Sequence, residues 1–282
     1  MIGKSTVTML EVLLPKLAIS APLKVGSPRS LYASIGTPSI RQNHDILNGQ
    51  VYQLTAGLRI RSCLSEKEIA ALYSQLRAQA INQDPDALND LGWMWMTGTQ
   101  VASNQALARR VLELAVAAGS AEAVFNLAER AYYGKGGTVD VPQAVERYTS
   151  ILKHGKVNAL RAAAACALAR IDEAGELNGE PDPEAAIAWY DCAISFGDKS
   201  AVIEQSKLRL DVCSPCQDVA AAIYALQEAA LGGLLEASYF LADLYAGKIP
   251  DAEYPIDPEG RMQGFWRELG DEQSALATGV YD

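Results

Sequence analysis

AYYGKGGTVDVPQAVERY, Ala131 to Tyr148, is the stretch whose reading decides the fold. Gly134, Lys135, Gly136, Gly137 and Thr138 have the look of a phosphate cradle. Such a cradle needs G-x-x-x-x-G-K-[ST] between a buried strand and a helix, so that backbone N–H groups converge on the phosphates. Here the lysine precedes the second glycine, and NLAERAYY before it is alanine-rich rather than β-branched. The alternative is a plain turn, and a turn of this kind should recur wherever the chain repeats itself.

It does recur. Ala87, Ala123, Ala159, Ala201 and Ala237 follow one another at steps of 36, 36, 42 and 36 residues. Asn104, Asp140, Asp182 and Asp218 keep the steps 36, 42 and 36, and Gly119, Gly155, Gly197 and Gly233 keep them again. Three markers in one register make the chain a repeat array. Each unit reads as two helices. The first starts near the marker alanine, with apolar residues at helical spacing, as in DALNDLGWMW and EAVFNLAERAYY. The second opens at the Asn or Asp, whose side chain can accept from the free N–H groups of the first turn. Pro142 and Pro183 suit the first helical position, and the terminal glycine supplies a left-handed residue where the helix ends. Six extra residues of the third unit, within AGELNGEPDP, belong between its helices. GKGGTVD therefore sits at the turn from first to second helix, with Lys135 expected as a solvated loop residue.

These residues resemble the Sel-one-like repeat, a relative of the tetratricopeptide repeat, over about residues 83–273. DPEAAIAWYDCAISFG carries the second half of that pattern through Asp182, Ala186, Trp189, Tyr190, Ala193 and Gly197. Leu91 and Gly92, then Leu127 and Gly134, carry the first half, and Ala108, Ala144 and Ala222 keep the alanine of the second helix. Two units depart from it: AVIEQSKLRLDVCSPCQD lacks the leucine–glycine pair, and in the last unit Asp257 comes three residues late. Ahead of the array, SEKEIAALYSQLRAQA has a capping box in Ser65 and Glu68 and reads as a leading helix.

The 282 residues are 49% apolar and 21% charged, an ordinary globular balance. The formal charge of −10 argues against nucleic acid as the main partner. Residues 1–62 carry seven Lys or Arg against Glu11 and Asp45, and residues 63–282 carry 17 against 32. A basic arm precedes an acidic body. No stretch approaches a membrane span, and the apolar patch in MIGKSTVTMLEVLLPKLAIS is broken by Glu11, Pro15 and Lys16. A cytoplasmic protein is expected, with a mitochondrial presequence as the alternative because the first 44 residues are Ser-rich and acid-poor.

Little in the chain suggests chemistry. Cys213 and Cys216 have the spacing of a dithiol switch, but the βαβ context of such motifs is missing. Cys63, Cys166, Cys192, His44 and His154 have no paired spacing that would complete a zinc site. His154 reads as a cation at a helix C-terminus, and the acidic run from Asp172 to Glu184 as a solvated insertion. Trp93, Trp95, Trp189 and Tyr190 fall at repeat positions, where core packing is the default. No catalytic site, cofactor or metal is expected.

The sequence thus predicts an all-α protein: an extended basic arm over 1–62, an α-solenoid of about five helix pairs over 63–276, and a tail over 277–282. Turns are expected near Gly98, Gly134, Gly175, Cys213 and Pro250. The resemblance implies a protein-binding scaffold or adaptor that offers an acidic concave face, lined by first helices, to a partner protein. An immunity-type inhibitor capping a toxin or effector is the alternative, and a thiol redox protein using Cys213 and Cys216 a third reading. Residues two, three, six and seven after each marker alanine turn partly away from the core. Asn89, Trp93, Asn126, Arg130, Arg161, Lys207, Tyr239 and Asp243 are the candidates there, Trp93 and Tyr239 being the expected anchors. The arm, with apolar residues such as Leu13, Leu14, Tyr32 and Tyr52, is expected to dock on the body, a neighbouring subunit or a partner.

Overall fold

The computed structural model describes residues 4–16, 66–98, 101–255 and 257–278. Among these the chain is helical throughout, with one isolated antiparallel bridge, Asp211 to Ala252. The helices are α1 (Lys4–Leu13), α2 (Glu66–Ile81), α3 (Pro85–Thr97), α4 (Gln105–Ala117), α5 (Ala121–Tyr132), α6 (Val141–His154), α7 (Asn158–Ala174), α8 (Pro183–Ser195), α9 (Ala201–Leu210), α10 (Val219–Leu231), α11 (Leu235–Tyr245) and α12 (Arg261–Thr278). The chain divides into two compact units, residues 1–153 and 154–282.

Four helix pairs pack as the repeat dictates. α3 packs on α4, α7 on α8, α9 on α10 and α11 on α12. The marker Asn and Asp side chains start each second helix. Asn104 Oδ1 accepts from Leu107 N at 3.0 Å, Asp140 from Gln143 N at 3.0 Å, Asp182 from Ala185 N at 2.9 Å and Asp218 from Ala221 N at 3.0 Å. Each satisfies one of the N–H groups that a helix leaves unpaired at its first turn. The late Asp257 does the same for α12, accepting from Arg261 N and Gln263 N. Gly119, Gly197 and Gly233 end second helices at φ of +99°, +101° and +90°. α12 runs to Thr278, two residues beyond the expected end of the array.

The marker alanines Ala87, Ala123, Ala201 and Ala237 are buried, as are Ala108, Ala144, Ala186 and Ala222 on the second helices. Small side chains there let helices approach closely. Gly92 goes further, since a Cβ at that position would lie 2.7 Å from Leu112 Cγ on α4.

One correction concerns the arm. Lys4–Leu13 forms α1 rather than extended chain, and Leu10 and Leu14 join the core with Tyr73 and Leu76 of α2. Arg77 Nε donates to Leu14 O at 2.7 Å and Tyr73 Oη to Pro15 O at 3.0 Å, which caps the end of α1. The reason is the spacing Leu10, Leu13, Leu14, an apolar stripe at helical period that stops at Pro15. The rest of the expected arm, with Tyr32, His44, Tyr52 and Cys63, lies outside the described residues, as does Ser65 of the expected capping box.

Candidate protein-binding faces

The opening stretch is a turn, and its glycines have a mechanical reason. Arg130 at the end of α5 reaches into the loop, Nη2 donating to Gly136 O at 3.1 Å and Nη1 to Gln105 Oε1 at 2.7 Å. Gly136 has φ of +70°, and a Cβ there would meet Gln105 Cβ at 2.5 Å and Arg130 Nη2 at 2.7 Å. Only glycine fits that close approach with that backbone. Lys135 is half-buried rather than solvated, and burial pulls its ammonium below the usual lysine range while Glu129 pushes the other way.

The first unit places its candidate residues inside. Asn126 Nδ2 donates to Asn89 Oδ1 at 2.8 Å, linking α5 to α3, and both side chains are wholly buried. Asp90, one residue on from Asn89, is buried too. Trp93 is 2% exposed, and its indole Nε1 has no hydrogen-bond partner. Arg130, at 9%, is the loop clamp just described. The expectation that Trp93 faces outward is corrected: every residue of α3 from Ala87 to Met96 is buried, so no side of this helix is open at that level. On α5, Tyr148 of α6 explains part of the burial. Its ring packs against Phe125 at 5.5 Å and its hydroxyl donates to Glu129 Oε1 at 2.6 Å.

The second unit places its candidates differently. Arg161 on α7 is half-buried under Phe196, its guanidinium carbon 3.8 Å from the ring centre. Lys207 on α9 is exposed and paired with Glu204 at 2.8 Å. Tyr239 on α11 donates its hydroxyl to Asp271 Oδ1 at 2.9 Å, and Asp243 pairs with Arg267 at 3.2 Å and Lys248 at 3.6 Å. The structure therefore brings Tyr239 and Asp243 together on α11 with Arg267 of α12.

Sequence reasoning missed other groups. Asp172 and Glu173 are not merely solvated, since they accept from Trp189 Nε1 at 2.9 Å and Tyr190 Oη at 3.1 Å. Tyr224 and Leu231, seven residues apart on α10, stand exposed. An exposed tyrosine and leucine on one helix stripe are legible only once the buried stripe is known. Cys213 is exposed, Cys216 half-buried, and both are free thiols. Among the described residues no cluster of three or more His, Cys, Asp or Glu is placed to hold a metal ion, and no helix is long and apolar enough to cross a membrane.

Known structures share this helix arrangement. A Sel1 repeat protein from Oxalobacter formigenes superposes at a TM-score of 0.59 with 21% identity, over 80% of this chain and 86% of that one. The chain has the Sel1-like repeat (SLR) fold. A protective antigen present in uropathogenic Escherichia coli strains, itself displaying an SLR fold, superposes at 0.56 with 21% identity, over 82% of this chain. The present chain spans 46% of that antigen's length. An immunity protein from Pseudomonas aeruginosa superposes at 0.49 with 17% identity, over 85% of this chain and 84% of that one. No family model and no curated protein matches the sequence. Within the SLR fold, the leucine–glycine pair Leu91–Gly92 is the packing site against Leu112, and the marker Asp and Asn residues are helix caps.

Proposed function

We propose that the chain is a protein-binding scaffold whose second unit presents the working surface to a basic, extended segment of a partner protein. The observation that carries this reading is the pairing of charge with openness. Residues 154–282 hold 9 Lys or Arg against 22 Asp or Glu, a net of −13. In that unit the positions two, three and six after the marker alanines of α9 and α11 are exposed or half-buried: Ile203, Glu204, Lys207, Tyr239, Phe240 and Asp243. Helical repeat proteins use such open first-helix faces for binding. Acidic surface steers a basic partner and sets its register, while an aromatic such as Tyr239 supplies an anchor.

The test is affinity capture from the source cell with the full chain as bait, beside Tyr239→Ala and a variant carrying Glu204→Lys and Asp243→Lys. A partner of this kind is retained by the native chain, released by raising salt, and reduced at least about tenfold by the double charge reversal. Equal retention by all three baits, with folding confirmed by circular dichroism, removes the reading.

A further inference from the structure

Cys213-Ser-Pro-Cys216 lies in the loop that joins α9 to α10. Both thiols are free, with Cys213 exposed and Cys216 half-buried. The loop is wound in two successive turns that share Ser214. Ser214 N donates to Asp211 O at 3.1 Å, and Gln217 N donates to Ser214 O at 3.2 Å. Cys213 holds the third place of the first turn, and Cys216 the third place of the second. Chain wound at a three-residue step returns its side chains to one side and advances about 2 Å per residue. Three residues of such chain span about 6 Å, within the Cα separation of about 4.4–6.8 Å that a disulfide bridges. Both backbones are also pinned, since Cys213 N donates to Asp211 Oδ1 at 2.8 Å and Cys216 N to Ser214 Oγ at 3.2 Å. Between them the ring of Pro215 fixes its own φ, so closing a ring here costs little further freedom.

The loop is fastened on both sides of the pair to one short segment. Before the pair, Val212 N donates to Asp251 O at 3.0 Å, and Glu253 N donates to Leu210 O at 2.9 Å. After it, Gln217 Nε2 donates to Glu253 Oε2 at 3.0 Å. Val212, Asp251 and Ala252 line a cleft of about 310 Å³ together with Lys248, Pro250 and Tyr254. Asp251 takes a left-handed φ of +55°, a conformation that persists in a non-glycine residue only where its surroundings hold it.

We propose that Cys213 and Cys216 form a reversible dithiol–disulfide latch on this cleft, closed by exchange with a small-molecule disulfide such as oxidised glutathione. The Cys213 thiolate attacks one sulfur of the small disulfide, which forms a mixed disulfide and releases one thiolate. The Cys216 thiolate then attacks Cys213 Sγ, which breaks the mixed bond and releases the second. Two cysteine thiols are oxidised, one small disulfide is reduced to two thiols, and the two protons pass to the leaving thiolates. Exposure sets the order: Cys213 meets the reagent, and half-buried Cys216 resolves the adduct. The new ring spans what the turns already hold, so it restricts the open loop more than it strains the closed one. Oxidation therefore keeps Val212 and Gln217 at the spacing that meets residues 251–253, and reduction lets that wall of the cleft loosen.

This latch operates whether or not α9 and α11 bind a partner, and its test needs none. The full chain is equilibrated with oxidised glutathione and mapped by mass spectrometry of unreduced peptides. The expected product is a peptide that holds Cys213 and Cys216 and is lighter by two hydrogen atoms, at a yield unchanged by dilution. Cys216→Ser should stop instead at a glutathione adduct on Cys213. A native chain that stays reduced at this pair, keeps glutathione on Cys213, or joins Cys213 to any other cysteine overturns the proposal. Amide hydrogen exchange then compares the oxidised and reduced chains. The Val212 and Glu253 amides should exchange at least about tenfold more slowly when oxidised, the order expected from the closure entropy of so short a ring. Equal or faster exchange at both amides overturns the link to the cleft.

Discussion

Trp93 and Lys207 occupy one register position, six residues after the marker alanine, yet the first is sealed and the second stands in solvent. The same contrast holds two residues after the marker, where Asn89 is buried and Tyr239 half-buried. Side-chain chemistry follows the surroundings. In the sealed face, amides pair with each other, as Asn126 does with Asn89. In the open face, charges form ion pairs that water also satisfies, as Lys207 does with Glu204 and Asp243 with Arg267. Register thus fixes which way a residue points from its own helix pair, but not what it meets there.

The largest expected effect breaks this contrast directly. Trp93→Ala should cost about 3–5 kcal/mol, the usual loss for a buried tryptophan, whereas Lys207→Ala should change stability by less than about 0.5 kcal/mol. Urea denaturation followed by circular dichroism measures both. Similar midpoints for the two variants would mean that the positions are equivalent after all. A second, smaller effect sharpens it. Asn126→Ala leaves the Asn89 amide buried with a lost partner and should cost about 1–3 kcal/mol. A cycle with Asn89→Ala should return a coupling of at least about 0.5 kcal/mol, while Tyr239→Phe on the open face should be close to silent.

What could be read from residues alone divides along the same line. The caps were legible because a cap is local: Asp182 needs only to reach Ala185 N, three residues away. The pair turns at Gly98 and Gly175 were legible because both residues take left-handed φ, +75° and +68°, which glycine alone adopts freely. The docking of α1 was missed because its stripe is short, Leu10 to Leu14, and sits before a Pro-, Gly- and Ser-rich stretch that dominates any average over the arm. Among the candidate site residues, the burial of Trp93 was out of reach because it lies in a core cluster shared with Leu10, Leu14 and Tyr73, partners that the periodicity of its own repeat does not contain. Arg130 was placed on a surface for the same reason, although its target, Gly136, lies only six residues along.

Helix caps should behave alike in both units, which tests that the contrast belongs to the faces and not to the repeats themselves. Asn104→Ala in the first unit and Asp182→Ala in the second should each cost about 1 kcal/mol, since each removes one bond to a first-turn N–H. A difference above about 1 kcal/mol between them would show that the two units differ in more than the burial of their first-helix positions.

The smallest effect concerns a thiol on the open side. Cys166 lies seven residues after Ala159, half-buried, and its Sγ donates to Asp198 Oδ2 at 3.6 Å. Burial first, and then the Asp198 carboxylate, push the thiol up from 9.0 to about 12. The group is neutral in both folded and unfolded chains below pH 9, so it leaves stability unchanged there. Above pH 9 the unfolded chain ionises while the folded chain does not, and stability falls as pH rises towards 12. Cys166→Ser should flatten that part of the profile. The same shift makes the thiolate fraction at pH 8 about a thousandfold smaller than for an unperturbed thiol, so Cys166 should react with a disulfide reagent far more slowly in the folded chain than in urea. Cys213, exposed on its loop, should react at nearly the same rate in both. Rapid labelling of Cys166 in the native chain would show that the neighbourhood of Asp198 opens to solvent, extending the open face of the second unit further than Lys207 and Tyr239 mark it.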